Sequence, residues 1–211
     1  MATRVEPKAP SPTDTRQRLI DAAVHLFTKR SFAGTSLQMI ADELGITKAA
    51  VYHHFHTREE LLTAVVEPVR TQLQGIVETA EAQRTPRTRA EHMLTGYVDL
   101  AVRNRALMSV LAADPSVIEM LRALPDMGNL VDRQIRLLAD AHPGPAGLVN
   151  AAVIFAGIAG AVRPETINLD DEQLRQHLVE AGRRTLGLRA PRRPTGADVN
   201  GADRAAPPSH G

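Results

Sequence analysis

Residues 37–55 read LQMIADELGITKAAVYHHF, two short segments of helical periodicity separated by one glycine. Ala41 is a small side chain at a point where two helices can nearly touch, and Gly45 can take the left-handed backbone of a tight turn. Val51 lies ten residues after Ala41 and supplies an apolar anchor on the second segment. This spacing is typical of a helix-turn-helix, whose second helix presents side chains to the DNA major groove.

The second segment of this motif has an apolar side and a polar side. Val51 and Phe55 are expected to face inward. The outward side chains suit phosphates and base edges; they are Thr47, Lys48, Ala49, Tyr52 and His53. Simpler interpretations stay open, since Thr47 could be only a helix cap, Tyr52 a packing residue and Lys48 a solvated charge. A metal cluster of His53, His54 and His56 is disfavoured, because no carboxylate or Cys stands nearby at ligand spacing.

Hydroxyl side chains precede the apolar segments and indicate where helices begin. Thr35 or Ser36 is expected to cap a helix over 37–44, and Thr47 to cap one over about 48–54. Thr57 and Glu60 form a capping box for a helix that continues to about residue 81. Because helix N-termini present free backbone N–H groups, these starts also suit phosphate oxygens.

The rest of the chain is predicted to be helical as well, because no alternating run of strand length appears. The expected fold class is therefore all-α: a three-helix helix-turn-helix domain and a larger helical ligand-binding and dimerisation domain. Pro68 is expected to kink the fourth helix. The predicted organisation is a flexible arm (1–12), a helix-turn-helix domain (13–56), an effector and dimerisation domain (57–188, with a linking helix over 57–81) and a disordered tail (189–211). The further helices are expected at about 86–104, 105–113, 115–124, 127–141, 145–162 and 170–188.

Composition narrows the function classes. The net charge is only +1, so DNA binding must come from the placement of charges and not from bulk basicity. The chain has no Cys, which excludes disulfides and thiolate metal sites and suits the cytoplasm. We expect no cofactor, metal or catalytic residue, since neither a Gly-rich phosphate loop nor paired His and carboxylate spacing occurs. The apolar run 144–162 is interpreted as a buried interface helix and not as a membrane span.

Several short matches together resemble the signature of the tetracycline-repressor (TetR) family. They are TSL at 35–37, IA at 40–41, LGITK at 44–48, VYHHF at 51–55 and REELL at 58–62. The resemblance covers about residues 14–66. It departs at Ser31, where members usually carry Gly to end the first helix, and at Arg58, where they usually carry Lys.

The resemblance implies a homodimeric transcription regulator, usually a repressor, that binds double-stranded DNA and answers to a small molecule. Activation, or control by a protein partner, remains the alternative, and an enzyme is a third, disfavoured class. Carried over to this sequence, the DNA contacts fall on Thr35, Ser36, Thr47, Lys48, Ala49, Tyr52, His53 and Arg58.

The predicted effector domain offers weaker signals. Its larger adaptable apolar side chains are candidates for an irregular pocket, although each could be ordinary core: Met93, Tyr97, Met108, Met120, Met127 and Phe155. The same patterns contain the polar residues Asp99, Arg103 and Asn150; one of them could orient a ligand, although the simpler interpretation is that each faces solvent. A bound molecule is therefore expected to be apolar or amphipathic.

The last two helices are expected to form the dimer interface, although an internal hairpin of a monomer stays open. Small residues of the first allow close approach, and an apolar stripe marks the second; the candidates are Ala152, Ala156, Gly160, Leu174, Leu178 and Ala181. A dimer places two recognition helices in successive major grooves about 34 Å apart. A ligand that favours a form with different spacing would lower DNA affinity.

Overall fold

The computed structural model describes residues 12–124, 126–163 and 167–188, and these residues form ten α-helices and no strand. The all-α prediction is confirmed, and most helix ends lie within a few residues of the expected positions. The predicted arm and tail lie outside the described residues, except for Pro12. In chain order the helices are α1 (Pro12–Arg30), α2 (Leu37–Leu44), α3 (Lys48–His54), α4 (Arg58–Glu81), α5 (Pro86–Arg103), α6 (Arg105–Ala113), α7 (Pro115–Arg122), α8 (Met127–Ala139), α9 (Pro145–Ala161) and α10 (Asp171–Thr185).

Helices α1–α3 form a small bundle around aromatic side chains. The rings of Phe27 and Phe32 meet edge to face at 5.3 Å, and Val51 and Phe55 of the α3 region are buried beside α1 and α2. Gly45 ends α2 with φ of 63°, and its N–H donates to the carbonyls of Ala41 and Asp42. The helix-turn-helix geometry expected from residues 37–55 is therefore present.

Helix α1 ends in a turn at which Ser31 stands in place of the glycine that TetR-family members usually carry. Ser31 takes φ of 65°, the left-handed region that a serine side chain adopts at a cost. Its hydroxyl accepts a hydrogen bond from the N–H of Gly34 at 3.2 Å, which offsets part of that cost. The helix thus ends where the sequence predicts.

Helix α4 connects the small bundle to the larger one formed by α5–α10. It packs on α1 near its start and on α5 and α8 beyond, and it runs to Glu81 without a break at the exposed Pro68. Its buried stripe consists of Leu61, Leu62, Val65, Val66, Val69, Leu73, Val77 and Ala80.

Ion pairs hold the larger bundle at its edges. Arg133 of α8 donates to both carboxylate oxygens of Glu81 at 2.9 and 2.7 Å, and this pairing lowers the pKa of Glu81. Arg175 of α10 donates to Asp99 of α5 at 2.6 Å. Asp99, one of the polar residues considered for ligand contact, is therefore committed to the α5–α10 packing.

Helices α9 and α10 close the larger bundle differently from one another. α9 buries Ala151, Ile154 and Ile158 but leaves an apolar outer face in solvent. α10 turns Leu174 inward, where it is only 1% exposed. The prediction that Leu174 faces a partner subunit is wrong, because this side chain is covered by its own chain, whereas Leu178 and Ala181 stay partly exposed. Among the described helices, α9 included, none has the length and hydropathy needed to cross a bilayer.

A glycine inside α10 tests how closely α5 and α10 are packed, and a glycine inside α4 serves as the comparison. A Cβ at Gly182 would lie 2.4 Å from Cδ1 of the buried Leu94, whereas a Cβ at Gly75 of α4 meets no atom within 4 Å. We expect Gly182→Ala to lower the free energy of unfolding by about 1–3 kcal/mol through overpacking. Gly75→Ala should raise it by about 0.5–1 kcal/mol, because alanine loses less backbone entropy in a helix.

Urea unfolding at one fixed protein concentration measures both changes. An unchanged or raised free energy of unfolding in Gly182→Ala would show that the α5–α10 spacing tolerates an added methyl group.

Candidate nucleic-acid interface and internal cavity

The outer face of α3 carries the polar side chains expected there. Thr47, Lys48, Ala49, Tyr52 and His53 are all exposed, while Val51 is buried. Nζ of Lys48 lies 5.4 Å from the ring centroid of Tyr52, so the two side chains support one another through a cation–π contact. Tyr52 is thus a surface residue and not a core residue.

Three hydroxyl caps fix the helix starts around this face. The side chains of Ser36, Thr47 and Thr57 accept hydrogen bonds from the backbone N–H groups three residues later, at 3.2, 3.2 and 3.0 Å. Glu60 accepts from the N–H of His56 at 2.7 Å, one residue before the Thr57 cap, so the predicted capping box forms only in its Thr57 half. Thr47 therefore serves as a cap and is exposed at the surface as well.

A surface depression of about 290 Å³ lies where these helix starts converge. It brings together the positive ends of two helix dipoles and the ammonium of Lys48, an arrangement that suits an anionic oxygen. Gln38 and His56 lie in this depression although neither was expected among the DNA contacts. Its lining residues are Ser36, Leu37, Gln38, Lys48, Tyr52, His56, Thr57 and Arg58.

Arg58 has a structural role that the sequence did not reveal. Its Nη1 donates to the carbonyl oxygens of Phe32, Ala33 and Thr35 at 3.3, 3.1 and 3.1 Å. Its guanidinium also lies 5.1 Å from the ring centroid of Phe32. This cation therefore holds the α1–α2 loop through Nη1, and the phosphate contact expected of Arg58 stays a prediction.

Thr35 is corrected from a contact residue to a loop residue. Its side chain is only 2% exposed, and its hydroxyl donates to the carbonyl of Ser31 at 2.9 Å. The hydroxyl cannot contact a phosphate unless this turn opens.

The three histidines near the end of α3 do not converge. The rings of His53 and His54 lie 5.2 Å apart at an interplanar angle of 77°. Within the part of the chain that the structure describes, no group of three or more His, Asp or Glu side chains is arranged to hold a metal ion.

A second concavity lies inside the larger bundle and has a volume of about 390 Å³. Six helices, α4–α9, contribute to its wall, which is mostly apolar. Pockets of roughly 300–1,000 Å³ lined in this way are usual for small molecules. The lining residues are Val66, Val69, Arg70, Leu73, Tyr97, Leu100, Met108, Leu111, Ile118, Leu121, Arg122, Met127, Val131, Gln134, Phe155, Ala156, Ala159 and Gly160.

Four of the six predicted pocket residues line this cavity: Tyr97, Met108, Met127 and Phe155. Met93 does not, because it lies one helical turn before Tyr97 on α5 and is enclosed in the core beyond the end of the cavity. Met120 does not either, because α7 turns Ile118, Leu121 and Arg122 toward the cavity instead.

In the aromatic part of the cavity wall, the polar atom of the tyrosine side chain already has a hydrogen-bond partner. The rings of Tyr97 and Phe155 stack at 5.2 Å, and the Tyr97 hydroxyl donates to the carbonyl of Phe155 at 3.4 Å. Burial raises the pKa of Tyr97 well above its usual value, so this phenol is neutral at physiological pH.

Gln134 is a fully buried polar residue of the cavity wall that the sequence pattern did not single out. It is 0% exposed, and neither Nε2 nor Oε1 has a hydrogen-bond partner among the described residues. A signal was present, since Gln134 interrupts the apolar stripe of α8 formed by Met127, Leu130, Leu137 and Leu138.

The amino-terminal bundle matches a known protein family. The profile of the family described as "Bacterial regulatory proteins, tetR family" matches residues 19–65. The transcriptional regulator YerO of Bacillus subtilis is 43% identical over 54 residues, which are 26% of this chain and 19% of that protein. The regulator TtgR of Pseudomonas putida is 33% identical over 70 residues, 33% of each chain. This chain therefore aligns with no more than a third of the length of these two relatives.

The likeness to solved structures extends over both bundles. The crystal structure of a member of the TetR transcriptional regulator family from Streptomyces coelicolor A3 superimposes with a TM-score of 0.63 at 23% identity. The match covers 90% of this chain and 96% of that one. At this identity the comparison shows a shared fold.

The role of Arg58 is tested by a pair of substitutions. Arg58→Ala removes three hydrogen bonds and the Phe32 contact, and we expect it to lower the free energy of unfolding by about 2 kcal/mol. Arg58→Lys keeps the charge and one or two of the hydrogen bonds, so its loss should be about half as large. Thermal unfolding followed by circular dichroism measures both.

The salt dependence of DNA binding separates this loop-holding role from a phosphate contact. If the two variants are equally stable, and DNA binding is less sensitive to salt in Arg58→Ala alone, then Arg58 acts as a phosphate ligand.

Proposed function

Since the chain belongs to the tetracycline-repressor family of transcriptional regulators, we propose that it is a homodimeric repressor which a small molecule releases from a palindromic operator. One observation carries this proposal: the helices that line the internal cavity also hold the DNA-binding bundle. α4 contributes Val66, Val69 and Leu73 to the cavity and packs on α1. α6 contributes Met108 and Leu111, and it packs on α1 as well. The site of action would be the bacterial cytoplasm, where the DNA is.

The proposed DNA contacts centre on α3. Lys48 and Tyr52 supply a cation and a phenol, and Ala49 lets the helix approach the bases, where its methyl group can touch a thymine methyl. Ser36 adds the start of α2 for a phosphate. Thr47 and His53 complete the set, whereas Thr35 and Arg58 support it from behind. The small net charge of +1 means that this local placement must supply the attraction.

The proposed dimer contact is the outer face of α9. Val149 is 61% exposed there, and Leu148 and Val153 are also exposed large apolar residues. Ala152 lies exposed among them, and Ala156, which also lines the cavity, is exposed one turn later; their small side chains allow a second helix to approach closely. An exposed apolar stripe of this kind is typical of a surface that another protein covers. Gly160, Leu178 and Ala181 are partly exposed at its edge, so they remain candidates for an isologous contact.

The proposed release follows from the shared walls. A ligand in the cavity contacts α4 and α6, and any displacement of these helices moves α1 with the rest of the DNA-binding bundle. In a dimer, such a displacement changes the spacing of the two α3 helices, which must match successive major grooves about 34 Å apart. The ligand lowers DNA affinity by its differential affinity for the two spacings.

A charge deletion on α3 tests the DNA contacts. We expect Lys48→Ala to weaken binding to DNA from upstream of the protein's own gene by about tenfold. The slope of log affinity against log salt should fall in magnitude by about 2, because each dimer loses two phosphate contacts. Fluorescence anisotropy over a salt series measures both quantities.

Arg87→Ala is the matched control for Lys48→Ala. Arg87 is exposed at the start of α5, beyond the far end of α4, which is about 36 Å long for its 24 residues. It loses the same charge at a distance from α3. Equal effects of the two substitutions would mean that general charge, and not contact by α3, governs binding.

A buried charge on α9 tests the dimer contact. Ala152→Glu places a carboxylate in the proposed interface, and we expect the dimer to dissociate at micromolar concentration and DNA affinity to fall at least a hundredfold. Ala82→Glu introduces the same side chain at the exposed end of α4 and should change neither. Sedimentation equilibrium measures the assembly. A dimer that persists in Ala152→Glu would place the interface elsewhere.

A further inference from the structure

The buried side-chain amide of Gln134 lacks hydrogen-bond partners for both of its polar atoms within the described part of the chain. Nε2 carries two N–H donors and Oε1 accepts hydrogen bonds, and both atoms are enclosed without a partner among the described residues. A buried amide in this condition destabilises the folded chain, whereas leucine or methionine would fill the same space without that cost. Gln134 is one of the residues that line the cavity, so a small rotation of its side chain would bring the amide into contact with a molecule there.

The other polar residues of the wall are already engaged or exposed. The Tyr97 hydroxyl donates to the Phe155 carbonyl. Arg70 donates to both carboxylate oxygens of Glu67, at 2.8 and 2.6 Å, and Arg122 is exposed at the surface. Among the lining residues, Gln134 is therefore the buried polar side chain that remains available to a ligand.

We propose that the effector is a compact, uncharged amphipathic molecule whose hydroxyl or carboxamide group pairs with the side chain of Gln134. Such groups both donate and accept, so one of them can satisfy Oε1 and Nε2 together. A carboxylate is a poor match, because a neutral amide cannot compensate the loss of its hydration. Of the two cations among the described lining residues, Arg70 is paired with Glu67 and Arg122 is exposed to water. The cavity volume of about 390 Å³ limits the body of the molecule to a few fused rings or a short chain. This inference rests on the proposed function, because it identifies the class of molecule for the same cavity.

Three probes of equal body and different polar group test this assignment: naphthalene, naphthol and naphthoate. Each competes with the fluorescent reporter N-phenylnaphthylamine for the full-length protein, and the ratio of naphthol to naphthalene affinity is compared between variants. We expect this ratio to fall about tenfold in Gln134→Leu and in Gln134→Met, which lack the amide. It should be unchanged in Gln176→Leu, which makes the same replacement at an exposed position of α10 outside the cavity wall. Naphthoate should bind most weakly to the unmodified protein.

The same variants give a second measurement that needs no ligand. Gln134→Leu and Gln134→Met should raise the melting temperature of the empty protein by about 2–4 °C, because each removes an unpartnered buried amide. A lower melting temperature in both variants would show that the amide already has partners in the empty cavity, and this result would overturn the proposal.

Three results of the binding experiment would contradict the proposal. They are an affinity ratio that does not change with Gln134, a preference for naphthoate, and a failure of every probe to displace the reporter. DNA release by the same probes is measured in parallel and reports on the proposed function. A Gln134-dependent preference without release supports the ligand class and argues against effector control. Release that is independent of Gln134 supports effector control and argues against the ligand class.

Discussion

The buried stripe of helix α4 connects the two bundles, and the other packing relations depend on it. Leu61, Leu62 and Val65 near its start are buried in the core that α4 shares with α1, and Val69 and Leu73 continue the stripe into the cavity wall. Burying a side chain of this size contributes about 1.5–3 kcal/mol, so separating α4 from either bundle is costly. Helix α4 is therefore a continuous connection between the cavity wall and the small bundle.

Arg58 extends this constraint to the DNA-binding surface. It stands in the first turn of α4 and donates to three carbonyls of the α1–α2 loop, which leads directly into Ser36 and α2. The position of the α2 start relative to α4 is thus set by one planar cation with several donors. The depression beside Lys48 exists because these two helix starts are held together.

Local chemistry explains why much of the fold was predictable from the sequence. Hydroxyl caps such as Thr47 and Thr57, the turn glycine Gly45 and the helical periodicity of apolar residues act within a few positions of one another, and each is visible in the order of residues. The outward set on α3 follows from the same periodicity. These features identify the helix-turn-helix and its exposed face without knowledge of any distant contact.

The features that escaped prediction depend on contacts between distant residues. Arg58 bonds to carbonyls 23 to 26 positions away, and sequence pattern alone made it a phosphate ligand. The apolar stripe of α10 could face its own chain or a partner, and only the packing shows that Leu174 faces its own chain. Met93 and Tyr97 share a face of α5, and the extent of the cavity decides which of them lines it. Gln134 was visible as a polar interruption, but its lack of partners required the surrounding helices.

The placement of the two tyrosines gives the chain a pair of internal optical reporters. The sequence has two Tyr and no Trp, so its intrinsic near-ultraviolet emission comes from tyrosine. Tyr52 stands on the outer face of α3, and Tyr97 is enclosed in the cavity wall against Phe155. Because burial raises the pKa of Tyr97, this phenol keeps its proton in moderately alkaline solution. A single-tyrosine form of the protein would therefore report on one end of the molecule alone, with no label attached.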